Sequence, residues 1–255
     1  MTGIRAFMPS RLLLPAALLL AAASCHRFSP ADFRSDPEGL YTASVRELRH
    51  GRWQRALDGL NVLSFELAAR DTLLPKVRFY QAEARYGLGD FLTAAREFRR
   101  VADDFPADSL AAFALLRAGD AFARLWRDVE LDPTHGQTAM ATWQELAGRF
   151  PNSPAAPLAG VRLREMQDQF AHKDYQTGLF YFRRGGYDSA ILYFRGIIAN
   201  YPSASIVPEV FVSLVQAYQA IGYREEREET CAHLRQYYPN RGDVRQICGD
   251  GNPGR

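Results

Sequence analysis

One register recurs along this 255-residue chain and restricts it to a single kind of architecture. An aromatic-rich amphipathic stretch leads to a Gly, with an aromatic residue two positions later. An Ala follows three after that, a large apolar residue four further on, and a Pro closes most copies. The first copy is Gly51, Trp53, Ala56, Leu60, and the second is Gly89, Phe91, Ala94, Phe98, Val101, Pro106. The third lacks the Gly but keeps Ala139, Trp143, Leu146, Pro151. The fourth is Gly185, Tyr187, Ala190, Phe194, Ile197, Pro202. The fifth is weaker: Gly222, Arg224 where an aromatic is expected, then Cys231, Leu234, Pro239.

The spacing has a physical cause. Gly ends the first helix of each pair by accepting a left-handed backbone. The small Ala lets the second helix approach closely, residues three, four and seven positions on form its apolar stripe, and Pro stops it. A helix-turn-helix repeat of about 34 residues is the tetratricopeptide repeat (TPR). The steps here are somewhat longer, 38 residues from Gly51 to Gly89 and 37 from Gly185 to Gly222. No segment alternates at period two. The expected fold is all-α, a TPR-type solenoid of five repeats and about ten helices in a right-handed superhelix, spanning residues 37–239 as one domain. The third repeat carries an insertion, Arg127 to Thr134, between its helices. Residues 240–255, rich in Gly and Asp, read as a flexible tail.

The first 24 residues read as an address. Arg5 and Arg11 precede an apolar run from Leu12 to Ala23, the pattern of a secretory signal, with the start at Met1 or Met8. A membrane span takes about 20 apolar residues, so this shorter, Pro-containing run is a weak candidate for one. It ends in Ala22-Ala23-Ser24-Cys25, which resembles a bacterial lipobox and implies lipid on Cys25; a plain signal cut near Ala23 is the competing reading. By the same resemblance, a residue other than Asp after the Cys (His26 here) points to the outer membrane. Residues 25–36 then form the tether. Cys231 and Cys248 could pair in an oxidising periplasm, or remain two free thiols.

Composition closes other routes. There are 31 Lys+Arg against 29 Asp+Glu, and the excess belongs to Arg5 and Arg11, so the remaining chain is neutral. Sequence-independent nucleic-acid binding needs clustered excess cations. The five His form no H-E-x-x-H, no Cys pair has zinc-ligand spacing, and no G-x-S-x-G elbow is present, so no metal, cofactor or catalytic centre is expected. Gly249 to Gly254 matches G-x-G-x-x-G but follows no strand and opens no helix.

The repeats, the lipobox and the insertion ending Leu131-Asp132-Pro133-Thr134-His135 together resemble the BamD family of outer-membrane β-barrel assembly lipoproteins. The likeness is strongest over 131–202, through Arg149-Phe150-Pro151-Asn152-Ser153, Tyr181-Phe182-Arg183-Arg184-Gly185-Gly186-Tyr187 and Asn200-Tyr201-Pro202. The insertion is shorter than in well-known members, and the tail with Cys248 has no evident counterpart. The resemblance implies a non-enzymatic adaptor at the periplasmic face of the outer membrane. Its partners would be a barrel-forming insertase and the C-terminal signal strand of unfolded outer-membrane proteins.

In TPRs the first helix of each pair lines the concave groove. Its inward positions here are Glu38, Tyr41, Val45 and Leu48, with Arg49 beside them, then Lys76, Phe79, Glu83 and Tyr86. Aromatics and cations together suit an extended, aromatic-ended peptide with a terminal carboxylate; packing between repeats is the alternative role. Arg85, at a usual core position, marks a register that could shift by one. Repeat four offers Tyr175, Leu179, Phe182 and Arg183. For insertase docking the resemblance points to Asp132, Arg183, Arg184, Tyr193 and Arg195. Other envelope TPR lipoproteins, coordinating peptidoglycan synthesis or piloting secretins, share the repeats and are the alternative.

Overall fold

The computed structural model describes residues 28–126 and 132–249. Among these are eleven α-helices and no strand. In chain order they are α1 (Pro37–Arg49), α2 (Trp53–Glu66), α3 (Leu74–Gly87), α4 (Phe91–Asp104), α5 (Leu110–Leu125), α6 (Thr134–Arg149), α7 (Ala155–Arg183), α8 (Tyr187–Asn200), α9 (Val207–Ile221), α10 (Arg224–Tyr237) and α11 (Gly242–Cys248). The first ten form five TPR-type hairpins. Signal segment, Cys25 and most of the insertion lie outside the described residues.

The punctuation is local. Asp36 accepts from the Gly39 amide at 2.9 Å and Pro37 opens α1, so one orphan donor of the first turn is satisfied. Gly51, Gly89, Gly185 and Gly222 all have φ between 71° and 83°, the left-handed region a side chain disfavours. These are the four turn glycines of the register. The third hairpin, which lacks one, joins its helices through the insertion instead.

Size complementarity holds each hairpin together. Ala56, Ala94, Ala139 and Ala190 are fully buried, as are Leu60, Phe98 and Phe194, with Trp143 only 2% exposed. Opposite the large residue the first helix is small. A Cβ on Gly119 would stand 2.3 Å from the Trp143 ring nitrogen, and one on Gly178 would stand 2.5 Å from Phe194. The fifth hairpin inverts the pair, with Val215 on α9 and Cys231 on α10, both fully buried. Cys248 of α11 supplies the missing volume by bonding to Cys231, their Cα atoms 5.5 Å apart. The expected flexible tail is therefore corrected over 242–248: Val244 is buried and the Arg235 guanidinium donates to the Cys248 carbonyl at 3.0 Å. The end of the tether is likewise engaged, since Phe28 and Phe33 pack on Leu40, Leu60 and Leu63.

The helix α7, 29 residues long, serves two cores. Ala155, Ala159, Met166 and Phe170 join the cluster of repeats two and three, where Phe170 stacks on Trp126 at 4.4 Å. Ala171, Tyr175, Leu179 and Phe182 join that of repeats four and five. At about 100° per residue the two buried faces lie roughly 150° apart around the helix. One continuous rod thus joins two separately packed halves.

Candidate functional site

The first helices α1 and α3 carry the predicted peptide-groove residues, and the structure sorts them. Tyr41 is half-buried against Tyr80, ring centroids 6.0 Å apart, and burial together with Tyr80 pushes its phenol up to about 12. Leu48 is half-buried, while Glu38, Arg49 and Lys76 are exposed. Phe79 and Val45 are corrections to the groove assignment. Both are buried, and Phe79 packs edge-on against Phe98 at 5.4 Å, inside the core between α3 and α4. Tyr80, the next residue, is half-buried and meets Tyr41 instead. Arg85 is no core residue either; its guanidinium pairs with Glu97 at 2.8 Å.

Glu83 and Tyr86 are engaged by a residue that the repeat pattern does not single out. Arg117 of α5 gives Nε and Nη2 to the Glu83 carboxylate at 2.6 and 2.9 Å and lies 4.2 Å over the Tyr86 ring. Its third nitrogen donates to Asp120 at 3.2 Å, and Asp120 in turn meets Arg162 of α7 at 3.5 Å. The result is an alternating row, Glu83, Arg117, Asp120, Arg162, crossing α3, α5 and α7. Burial opposes the Arg117 charge, but Glu83 and Asp120 outweigh it and its pKa is raised. Burial also raises Asp120, against the pull of Arg117 and Arg162. A signal was present in the sequence: in Leu110–Leu125 the only charges are Arg117, Asp120 and Arg124, spaced three and four apart on one face.

At the C-terminal half, Arg183 and Arg184 lie at the end of α7. The Arg184 guanidinium lies 3.8 Å over Phe180, itself 47% exposed. Tyr193 of α8 stacks on Tyr181 at 5.6 Å, joining the two helices. Arg195 is exposed and moderates the rise that burial imposes on the Tyr218 phenol. Asp132 has a local task. It accepts from the Thr134 amide and hydroxyl at 3.0 and 2.6 Å at the start of α6, and those bonds hold its pKa down. In repeat four, Tyr175, Leu179 and Phe182 are half-buried and pack against the core of repeats four and five, Tyr175 sharing a hydrogen bond with Ser213 at 2.9 Å.

Among the described residues no cluster of three or more His, Cys, Asp or Glu could hold a metal ion, and no helix is long and apolar enough to cross a membrane.

Proteins named outer membrane protein assembly factor BamD are similar to this chain. The one from Caulobacter vibrioides is 25% identical over 207 residues, covering 79% of this chain and 66% of that protein. The chain thus spans about two thirds of that relative's length. The one from Neisseria meningitidis serogroup A is 25% identical over 248 residues, covering 90% and 91%. That of Vibrio cholerae is 25% identical over 210 residues, covering 76% and 84%. Among solved structures, the TPR2AB-domain:pHSP90 complex of yeast Sti1 aligns with a TM-score of 0.44 at 13% identity, covering 84% of this chain and 82% of that one. A thermophilic TPR protein of Thermus thermophilus aligns with a TM-score of 0.37 at 18% identity, covering 82% and 95%. The family described as YfiO, outer membrane lipoprotein, matches residues 34–234, well over half of the sequence, and the chain belongs to that family.

Proposed function

We propose that the chain is a non-enzymatic adaptor in the assembly of outer-membrane β-barrel proteins, held by lipid on Cys25 at the periplasmic face of the outer membrane. The observation that carries this reading is the family match, together with relatives named as assembly factors, one of which aligns along 90% of the chain. The packing supports a division of labour. Tyr41, Leu48, Arg49, Lys76 and Tyr86 receive the C-terminal strand of an unfolded barrel protein, apolar side chains against the rings and the terminal carboxylate at Arg49 or Lys76. Glu83 and Phe79 shape the wall without meeting the ligand, one tied to Arg117 and the other buried. The edge formed by Arg183, Arg184, Tyr193 and Arg195 docks the periplasmic part of the barrel insertase.

Two experiments test this. Photocrosslinkers at Tyr41 and Tyr86 should capture a signal-strand peptide, whereas capture confined to repeat five would refute the N-terminal groove. Charge reversal at Arg183, Arg184 and Arg195 should reduce co-purification of the insertase from membranes. Unchanged recovery would refute the docking edge, and recovery of a peptidoglycan synthase in its place would refute the function.

A further inference from the structure

The repeat geometry leaves a crevice on the outer side of two junctions, between second helices of adjacent hairpins and floored by the first helix between them. At the junction of repeats one and two it lies between α2 and α4; at that of repeats four and five it lies between α8 and α10. Each lining position of α3 and α4 finds a counterpart in the lining on α9 and α10 when the hairpins are superposed on Gly89 and Gly222. What differs is their chemistry. Arg78 becomes Phe211, Gln81 becomes Leu214, Arg100 becomes His233 and Asp104 becomes Tyr237.

In the first crevice much of the polar lining pairs internally, although Glu97 Oε2 is buried without a hydrogen-bond partner and Phe65 at the rim is 88% exposed. Gln81 donates to Asn61 and Ser64 at 2.8 and 3.1 Å, and Arg78 pairs with Asp104 at 2.7 Å. The second crevice offers apolar and aromatic surface in two adjoining cavities of about 330 and 370 Å³ that share Ile198, Phe211 and His233. Its wall is a ladder of rings, His233 4.4 Å from Phe211 and 4.6 Å from Tyr237, and Tyr237 is 61% exposed. Exposing a large aromatic beside an apolar crevice costs free energy that covering it would recover. Residues 250–255 bring no large apolar side chain to fill it.

Charge identifies the occupant. Glu226 and Glu229 stand on the groove face of α10, about two turns and one turn before His233 respectively, and line the mouth with Arg195. Neither carboxylate has an ion-pair partner among the described residues, while Arg195 faces the Tyr218 hydroxyl. The wall is preformed, because α10 is fastened to α11 by the Cys231–Cys248 bond and α11 is fastened to α9 through Arg241 and Glu209 at 2.9 Å.

We propose that the α8–α10 groove is a docking site for a partner polypeptide segment presenting one or two bulky apolar side chains next to a Lys or Arg. The apolar side chains fill the two cavities and the cation reaches Glu226 and Glu229. This site is separate from the concave face and does not depend on what the concave face binds.

The test uses the full-length protein in its own membranes, with p-benzoylphenylalanine in place of Tyr237 and, as control, in place of Asp104 at the matching position of the polar crevice. Irradiation should give a discrete adduct from position 237 and none from 104. Glu226→Lys with Glu229→Lys should lower its yield at least tenfold at an unchanged melting temperature, and the Gln pair should lower it less. Mass spectrometry should map the adduct to an apolar segment flanked by Lys or Arg. The proposal is overturned by no adduct, by an adduct with a second copy of this chain, by a yield indifferent to the charge reversal, or by a mapped segment flanked by acids. If the captured protein lies outside barrel assembly, the groove stands and the adaptor reading falls. If position 237 gives no adduct with Glu226 and Glu229 intact while the insertase still co-purifies, the groove falls and the adaptor reading stands.

Discussion

Replacing Arg117 with Met keeps most of the side-chain volume and deletes the charge, so it isolates the ion row that joins repeats two, three and four. In the native protein the Arg117 side chain is 25% exposed, that of Glu83 19% and that of Asp120 14%. Removing one partner of a fully buried pair costs about 3–5 kcal/mol, whereas an exposed pair is worth roughly 0–1. The exposure here places the loss at the lower end of the buried range, about 3 kcal/mol. At roughly 2–4 °C per kcal/mol for a chain of this size, the melting temperature should drop by about 6–12 °C. The deficit should depend on pH. Burial already raises the folded pKa of Asp120, and Arg117 is the first of the charges restraining it. Without Arg117 that pKa rises further. A carboxyl with a higher pKa folded than unfolded binds more protons in the folded state, so stability falls as pH rises through it. The variant should therefore lose most near pH 7 and less at an acidic pH, where protonation neutralises Asp120. Urea melts of the wild type, Arg117→Met, Glu83→Gln and the double variant at both pH values close a thermodynamic cycle, with an expected coupling of about 2 kcal/mol. A coupling under about 0.5 kcal/mol, or a deficit equal at both pH values, would refute the reasoning.

Other outcomes follow from the same packing. Gly119→Ala places a methyl 2.3 Å from the Trp143 nitrogen, which donates to the Leu116 carbonyl at 3.3 Å; the ring must shift, at about 1–3 kcal/mol, visible as altered Trp fluorescence and a lower melting point. Gly89→Ala meets no neighbour but must hold φ near +83°, so it should cost about 1–2 kcal/mol with near-UV circular dichroism unchanged. Reducing the Cys231–Cys248 bond, which spans 17 residues, should cost about 3 kcal/mol and raise amide exchange in α11 before the rest of the chain.

Much of the fold was legible because the signals are local. A left-handed Gly, a Pro that ends a helix and an Ala between two large apolar residues each act on their own few residues of backbone, whatever lies elsewhere. The four turn glycines stand at the positions their spacing indicates, and the third hairpin departs from the pattern where its Gly is missing. The groove was only half legible. Phe79 and Tyr80 are neighbours on one helix, about 100° apart around it; a small error in register exchanges a core ring for an accessible one, and Arg85 was the warning of it.

The sequence alone therefore determined the repeat architecture, its hairpin boundaries and the set of residues from which a concave face could be drawn. Tertiary structure decided the rest. It placed Arg117 against Glu83, thirty-four residues away, turned the buried face of α7 midway along its length, and folded α11 back so that Cys248 could fill the space beside Cys231. Each of these depends on which helix lies across from a given side chain, a relation between distant segments that periodicity within a single helix does not encode.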